Sequence, residues 1–366
     1  MVSYDDFSVS GPTHMMVNTS QGSSAKRIIE LDWDSLDHRR CITACLVKGT
    51  YVLESDHTNG TKLAPAWWES FHFRQLKVLS CACTCIFCKI HGSNTRFICG
   101  VIFEYVPPDE ARRHPSAPRY IVAFRGTMPK DPTIVGDLRL NLRVLLNTQQ
   151  LCHRFCEARE FVEKLVTSNV DGDSSTIWLT GHSLGASIAL DVGREMMMGD
   201  GFNLPTFLFN PPHVSLAPVA NKLGMSEEAK QDVHLGSYVV KHIMGKTILR
   251  PQKKHMEAVF EKLSPWVPEL YVHQRDPICS GFIDYFELRK QHQEQCPRIA
   301  KSAATLAYRD LLHLCAVSGF GDKKGRQHLL PSARLWKNLG QDGDAHGLQQ
   351  WWRSNLSLSS ERYSWP

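Results

Sequence analysis

The chain has 366 residues, with 42 Lys and Arg against 37 Asp and Glu and a formal net charge of +5. Interleaved along the chain, so mild an excess excludes the concentrated basic surface of a nucleic-acid-binding protein. Hydrophobic residues at 42% and charged residues at 22% fit a globular fold rather than a disordered chain.

The opening MVSYDDFSVSGPTH lacks a basic start followed by an apolar core, and no apolar run approaches about 18 residues. The expectation is therefore a cytoplasmic protein without a transmembrane helix, whose 12 cysteines are thiols. Peripheral membrane contact stays open, because a soluble enzyme can act on lipid.

In chain order, residues 1–34 are polar and read as a loosely held arm. From Ser35 the pattern turns helical, with Ile42, Cys45, Leu46, Val52 and Leu53 near one face. Ala64 to Phe73 (APAWWESFHF) is dense in aromatics and reads as a buried element. Residues 79–96 read as an inserted loop. Phe97 to Tyr105 and Arg119 to Phe124 read as two strands of a hairpin across a Pro/Arg-rich turn. Residues 137–168 carry an amphipathic helical pattern. Thr176 to Thr180 is a short apolar strand, Ala186 to Met198 a helix, and Thr206 to Asn210 a strand stopped by Pro211-Pro212. Residues 215–265 are mostly helical and basic, Glu269 to His273 is a strand, and 284–316 is helical again. This alternation argues for an α/β sheet with helices on its faces. Without a composition break, the expected layout is an arm over 1–34 and a single domain over 35–366.

The chemistry concentrates at Gly181-His182-Ser183-Leu184-Gly185. Gly-x-Ser-x-Gly alone is a weak pattern. Here it directly follows the strand TIWLT and opens the helix ASIALDVGREMMM, the strand–turn–helix setting in which a nucleophilic serine sits on a sharp turn. Gly181 and Gly185 supply the missing side chains such a turn needs. The bland alternative is a glycine-rich turn with a surface serine. Leu184 then offers one backbone N–H to an oxyanion, and Arg125-Gly126-Thr127, closing the strand YIVAF, offers a second through Thr127.

An acid and a histidine should follow the serine in chain order. Asp276 lies just past the strand ELYVH, where a sheet exposes functional groups. Its rival Asp284 lies at a helix start, where an N-cap role explains it. Of His292, His313, His328 and His346, the first two sit in helical runs, His328 precedes an apolar turn, and His346 sits in a loop, Asp344-Ala345-His346-Gly347, ahead of Trp351-Trp352, which favours it.

The stretches FSVSGPTH, LAPAWWESFHF, APRYIVAFRGT, IWLTGHSLGASIAL, FLFNPPHVS, WVPELYV, YFELRK and AHGLQQWW, spanning residues 7–353, resemble the class 3, fungal-type lipase group of the α/β-hydrolase superfamily. More closely they resemble a plant branch often labelled "GDSL esterase/lipase", although the serine here is in GHSLG and not in a GDSL motif. The resemblance implies an α/β-hydrolase fold with a central, mostly parallel sheet and helices on both faces. It also implies a lipase or esterase with Ser183 as nucleophile, Asp276 as acid, His346 as base and Thr127 and Leu184 as the oxyanion hole. No metal or organic cofactor is implied, and the partner is an ester or lipid substrate. The segment CACTCIFCKIHGSN departs from the branch.

Other features have blander readings. Cys81, Cys83, Cys85, Cys88 and His91 offer one zinc-like spacing where paired knuckles are usual, so a cysteine-rich loop is preferred. The basic run with Lys241, Lys246, Arg250, Lys253 and Lys254 is a solvated helix face, with contact to anionic lipid as the alternative. Met196-Met197-Met198 is core packing. The stretch after Thr127, MPKDPTIVG, is a short lid in a second reading. Two alternatives to hydrolysis stand: a lipase-like binding or signalling protein with little catalysis, and an acyltransferase on the same residues.

Overall fold

The computed structural model describes residues 7–8, 11–19, 26–29, 31–62, 66–81, 97–107, 113–127, 153–168, 173–213, 250–295, 330–341, 343–353 and 356–365. Short N-terminal strands β1 (Phe7–Ser8), β2 (Gly11–Pro12), β3 (Met16–Thr19) and β4 (Lys26–Ile29) pair as β1 with β2 and β3 with β4. Helix α1 (Leu36–Asn59) follows. The main sheet then builds from β5 (Phe73–Cys81), β6 (Phe97–Tyr105), β7 (Tyr120–Phe124), β8 (Ile177–His182), β9 (Thr206–Phe209), β10 (Glu269–His273), β11 (Ala333–Asn338) and β12 (Leu358–Tyr363). Helices α2 (His153–Thr167), α3 (Leu184–Gly199), α4 (Arg250–Leu263) and α5 (Gly281–Gln295) lie between its strands in sequence.

All eight strands pair in chain order, β5 at one edge and β12 at the other. From β7 to β11 every neighbouring pair is parallel. The flanking pairs β5–β6, β6–β7 and β11–β12 are antiparallel. Side chains alternate across a strand, so a sheet covered on both faces buries nearly every position, polar ones such as Thr180 and His182 included. That is what β7 to β10 show. Ile121, Ala123, Trp178, Phe207, Phe209 and Tyr271 enter one buried cluster, which also holds the inner face of α1. Val122, Phe124, Ile177, Leu179, Leu208, Leu270 and Val272 enter the other, with α2, α3, α4 and α5. The result is a mixed α/β architecture around an eight-stranded sheet with helices on both faces. Among the described residues no helix is long and apolar enough to cross a membrane.

Helix α1 has clear stops. The Ser35 side chain accepts from His38 N–H, and Gly60 at φ 65° ends the helix with its N–H on the Asp56 carbonyl. Within residues 1–34, read from sequence as an arm, Met15, Ile29 and Trp33 are buried in the α1 cluster, and Trp33 meets Phe73, Tyr105 and Trp178 edge to face.

Three sheet strands depart from the sequence reading. Leu79–Cys81 closes β5 instead of opening a loop, and β11 and β12 were not foreseen. Both edge strands are polar on their exposed face (FRQLKVLSC and LSSERY), so their alternation is weak against a loop's composition. The helical patterns over 137–152, 215–249 and 296–316 lie outside the described residues.

Helix α3 carries Gly193 against the buried Trp266, whose indole N–H is held by the Leu204 carbonyl at 3.0 Å. A Cβ at Gly193 would stand 2.6 Å from the Trp266 ring. Mid-helix alanine normally gains about 1 kcal/mol over glycine, but overpacking a fixed indole costs about 1–3 kcal/mol. Gly193→Ala should therefore lower the urea unfolding midpoint instead of raising it.

Candidate active site

Ser183 sits between β8 and α3 at φ 54°, ψ −125°. Positive φ in a non-glycine residue costs of order 1–3 kcal/mol and persists only where its surroundings over-determine it. Here they do. The Ser183 N–H donates to the Phe209 carbonyl at 2.9 Å, and its own carbonyl accepts from Ala186 N–H at 2.9 Å. A Cβ at Gly181 would collide with the Gly185 carbonyl, and one at Gly185 with the carbonyls of Phe124 and Arg125. Leu184 opens α3, where the first N–H groups have no partner inside the helix and the dipole is positive.

The structure brings Ser183, His346 and Asp276 together. His346 Nε2 lies 3.0 Å from Ser183 Oγ, and His346 Nδ1 lies 2.8 Å from Asp276 Oδ2. A carboxylate only accepts, so in the neutral ring Nδ1 carries the proton and Nε2 faces the serine hydroxyl as acceptor. The rival Asp284 lies within the first turn of α5, where a carboxylate suits the helix dipole. His292 lies in α5, while His313 and His328 lie outside the described residues.

Asp276 is fully buried just past β10. Burial alone would push its pKa up. The hydrogen bond and charge of His346, the Cys279 thiol at 3.1 Å and the Ile278 N–H at 3.0 Å together hold it below the ordinary carboxylate value. Asn210 Nδ2 donates a further bond to Oδ2 at 2.7 Å. Burial pushes the Cys279 thiol well above its usual pKa, so it donates a proton and does not compete as a thiolate.

The His346 loop is fixed from below. His346 N–H donates to Asp344 Oδ1 at 3.0 Å, and Gln350 donates to the carbonyls of Ala345 and Gly347 at 3.0 and 2.9 Å. A 3-10 turn, Leu348–Trp352, follows. Its Trp351 is fully buried beside Phe209 and Tyr271, and its indole N–H donates to Asn210 Oδ1 at 2.6 Å.

Gly126 stands against the serine, since a Cβ there would lie 2.9 Å from Ser183 Cβ. Thr127 is half-buried beside it. The stretch after Thr127, the cysteines 83, 85 and 88 with His91, and Lys241 and Lys246 all lie outside the described residues. Cys81 is buried in β5, and Met196 and Met197 are buried in the core. Among the described residues no group of three or more His, Cys, Asp or Glu is placed to hold a metal ion.

The chain is similar to a protein of Arabidopsis thaliana named GDSL esterase/lipase, 32% identical over 383 aligned positions that cover 99% of this chain and 98% of the relative. The chain belongs to the GDSL esterase/lipase family. It is accordingly a carboxylic ester hydrolase. No protein-family profile matches the chain, and no solved structure matches it. The chain contains no Gly-Asp-Ser-Leu; Ser183 stands in Gly-His-Ser-Leu-Gly.

Sequence reasoning passed over several groups that build the site. Asn210, at φ 47° and fully buried, joins Asp276, Ala345 and Trp351 through one amide. Its only sequence signal was its place between a strand and Pro211-Pro212. His182 occupies a free position of the pentapeptide and donates from Nε2 to the His346 carbonyl at 2.8 Å. Tyr51, in α1, donates its hydroxyl to His182 Nδ1 at 2.8 Å.

Burial, with the nearby His346 second, lowers the His182 pKa to about 3. An unfolded histidine titrates near pH 6.5. Between those values the unfolded chain binds one proton more than the folded one, so this contribution is complete above about pH 6.5 and declines as pH falls toward 3. His182→Gln should flatten the dependence of Tm on pH across this window, as read by calorimetry.

Proposed function

We propose that residues 35–366 form one lipase-like α/β-hydrolase domain of the class 3 type, which hydrolyses carboxylic, lipid-like esters through an acyl-enzyme on Ser183. The reading rests above all on one observation. The His346 imidazole lies between the Ser183 hydroxyl, 3.0 Å from Nε2, and the Asp276 carboxylate, 2.8 Å from Nδ1, with the serine on a strained elbow.

In this mechanism Ser183 Oγ attacks the ester carbonyl while its proton passes to His346 Nε2. The carbonyl π electrons move to oxygen, which the N–H groups of Leu184 and Thr127 stabilise. As the tetrahedral intermediate collapses, the C–O bond to the alcohol breaks and His346 returns the proton to the leaving oxygen. Water then repeats the sequence on the acyl-enzyme, releasing the acid and restoring Ser183. Asp276 keeps Nδ1 protonated and stabilises the imidazolium. Its lowered pKa keeps it ionised throughout the range in which a histidine base works.

The test is a series of p-nitrophenyl esters of increasing chain length, together with a fluorophosphonate probe. Wild-type protein should hydrolyse the esters and take the label on Ser183. Ser183→Ala should lose the label, and its kcat should fall by on the order of 10^4-fold or more. Asp276→Asn should lower kcat by on the order of 10^4-fold with the label still accepted slowly. Equal labelling of wild type and Ser183→Ala overturns the reading.

A further inference from the structure

Helix α1 reaches the elbow through two side chains one turn apart, Tyr51 and Glu54. The Tyr51 hydroxyl accepts the Gly126 N–H at 2.7 Å and lies 2.8 Å from His182 Nδ1. Proton directions around it are forced. The His346 carbonyl can only accept, so His182 carries its proton on Nε2 and donates it there at 2.8 Å. Neutral His182 then presents Nδ1 as an acceptor, and Tyr51 must donate to it. The run is therefore Gly126 N–H to Tyr51 Oη, Tyr51 O–H to His182 Nδ1, and His182 Nε2–H to the His346 carbonyl.

The other side of Gly126 is also fixed. Its carbonyl accepts from Arg125 Nη1 at 2.7 Å, and Arg125 is held by Glu54 at 3.1 Å and by the Ile98 carbonyl at 2.5 Å. Both ionic partners are buried. In a trans peptide the carbonyl and the following N–H point to opposite sides. Turning the Gly126 carbonyl toward Arg125 thus directs the Thr127 N–H away from that guanidinium.

We propose that Tyr51 is a positioning residue for acyl transfer: one hydroxyl sets the Gly126-Thr127 oxyanion donor on one side and, through His182, the backbone of the base His346 on the other. This rests on the reading of Ser183, His346 and Thr127 given above. Burial supports it, because it raises the Tyr51 pKa to about 12 and lowers that of His182 to about 3. Both stay neutral across the working range, so the hydrogen-bond directions do not switch with pH.

Tyr51→Phe keeps the ring and removes only the hydroxyl. A displacement of about 1 Å at a reacting group costs on the order of 100-fold. In Tyr51→Phe, kcat for p-nitrophenyl butyrate should fall roughly 10- to 100-fold while KM stays within about twofold. His182→Phe removes both the acceptor for Tyr51 and the donor for the His346 carbonyl. Because both changes break one relay, the double variant should lose no more than about the worse single variant. Titration of reactive serines to completion with a fluorophosphonate normalises kcat per competent site, so partial misfolding does not enter the comparison. A Tyr51→Phe protein with wild-type kcat, or a double variant whose loss is the product of the two single losses, overturns the proposal. An inactive Ser183→Ala beside a fully active Tyr51→Phe overturns this proposal alone. A fully active Ser183→Ala overturns the catalytic reading and this one with it.

Discussion

The backbone of Ser183 is the constraint on which the rest of the site depends. A residue with a side chain is held at φ 54°, and the chain must hold it there against a cost of order 1–3 kcal/mol. The strain is contained by close packing of backbone on backbone. Gly181 nearly touches Gly185, and Gly185 nearly touches the end of β7. Parallel pairing of β7, β8 and β9 brings those strand ends into register. The apolar layers on both faces of the sheet in turn keep the strands paired. A local strain of a few kcal/mol is thus carried by a core whose buried aromatic side chains each contribute about 1.5–3 kcal/mol.

Around that turn the problem is polar rather than steric. Asp276 is buried as an anion, which is costly unless every lone pair is met. Donors arrive from His346, Asn210, Cys279 and the Ile278 backbone. Asn210 uses its remaining capacity on Ala345 and Trp351, so the groups that satisfy Asp276 also place the loop of His346. Electrostatic satisfaction and geometric placement come from the same bonds.

The sequence made legible whatever depends on local pattern. The strands of the centre are mostly apolar runs, because both faces are covered. The elbow announces itself through two glycines between a strand and a helix. Asp276 and His346 followed from chain order and from their loop settings. What stayed hidden depends on long-range contact. The edge strands β5 and β12 mix charge and hydroxyl with a faint alternation that a loop could equally show. Tyr51 sits in α1 as one aromatic among apolar neighbours, and nothing nearby in sequence marks its hydroxyl as a partner of His182, 131 residues away. Arg125 reads as the polar end of a strand until Glu54 is found beside it, and Asn210 reads as a strand terminus.

Helix α1 also has a temporal side. Its Arg40 donates to the carbonyls of Trp351 and Arg353, partners 311 and 313 positions later. Asp37, one turn away, meets the guanidinium locally at 2.9 Å, but its other two bonds wait for a segment made much later. Contacts of such span are slow to form, and the intervening apolar faces lie open in the meantime. Ser183 itself stands 163 positions before the histidine that faces it. Under the acyl-transfer reading proposed above, Ser183 meets its base only once the residues around His346 have folded back onto the sheet.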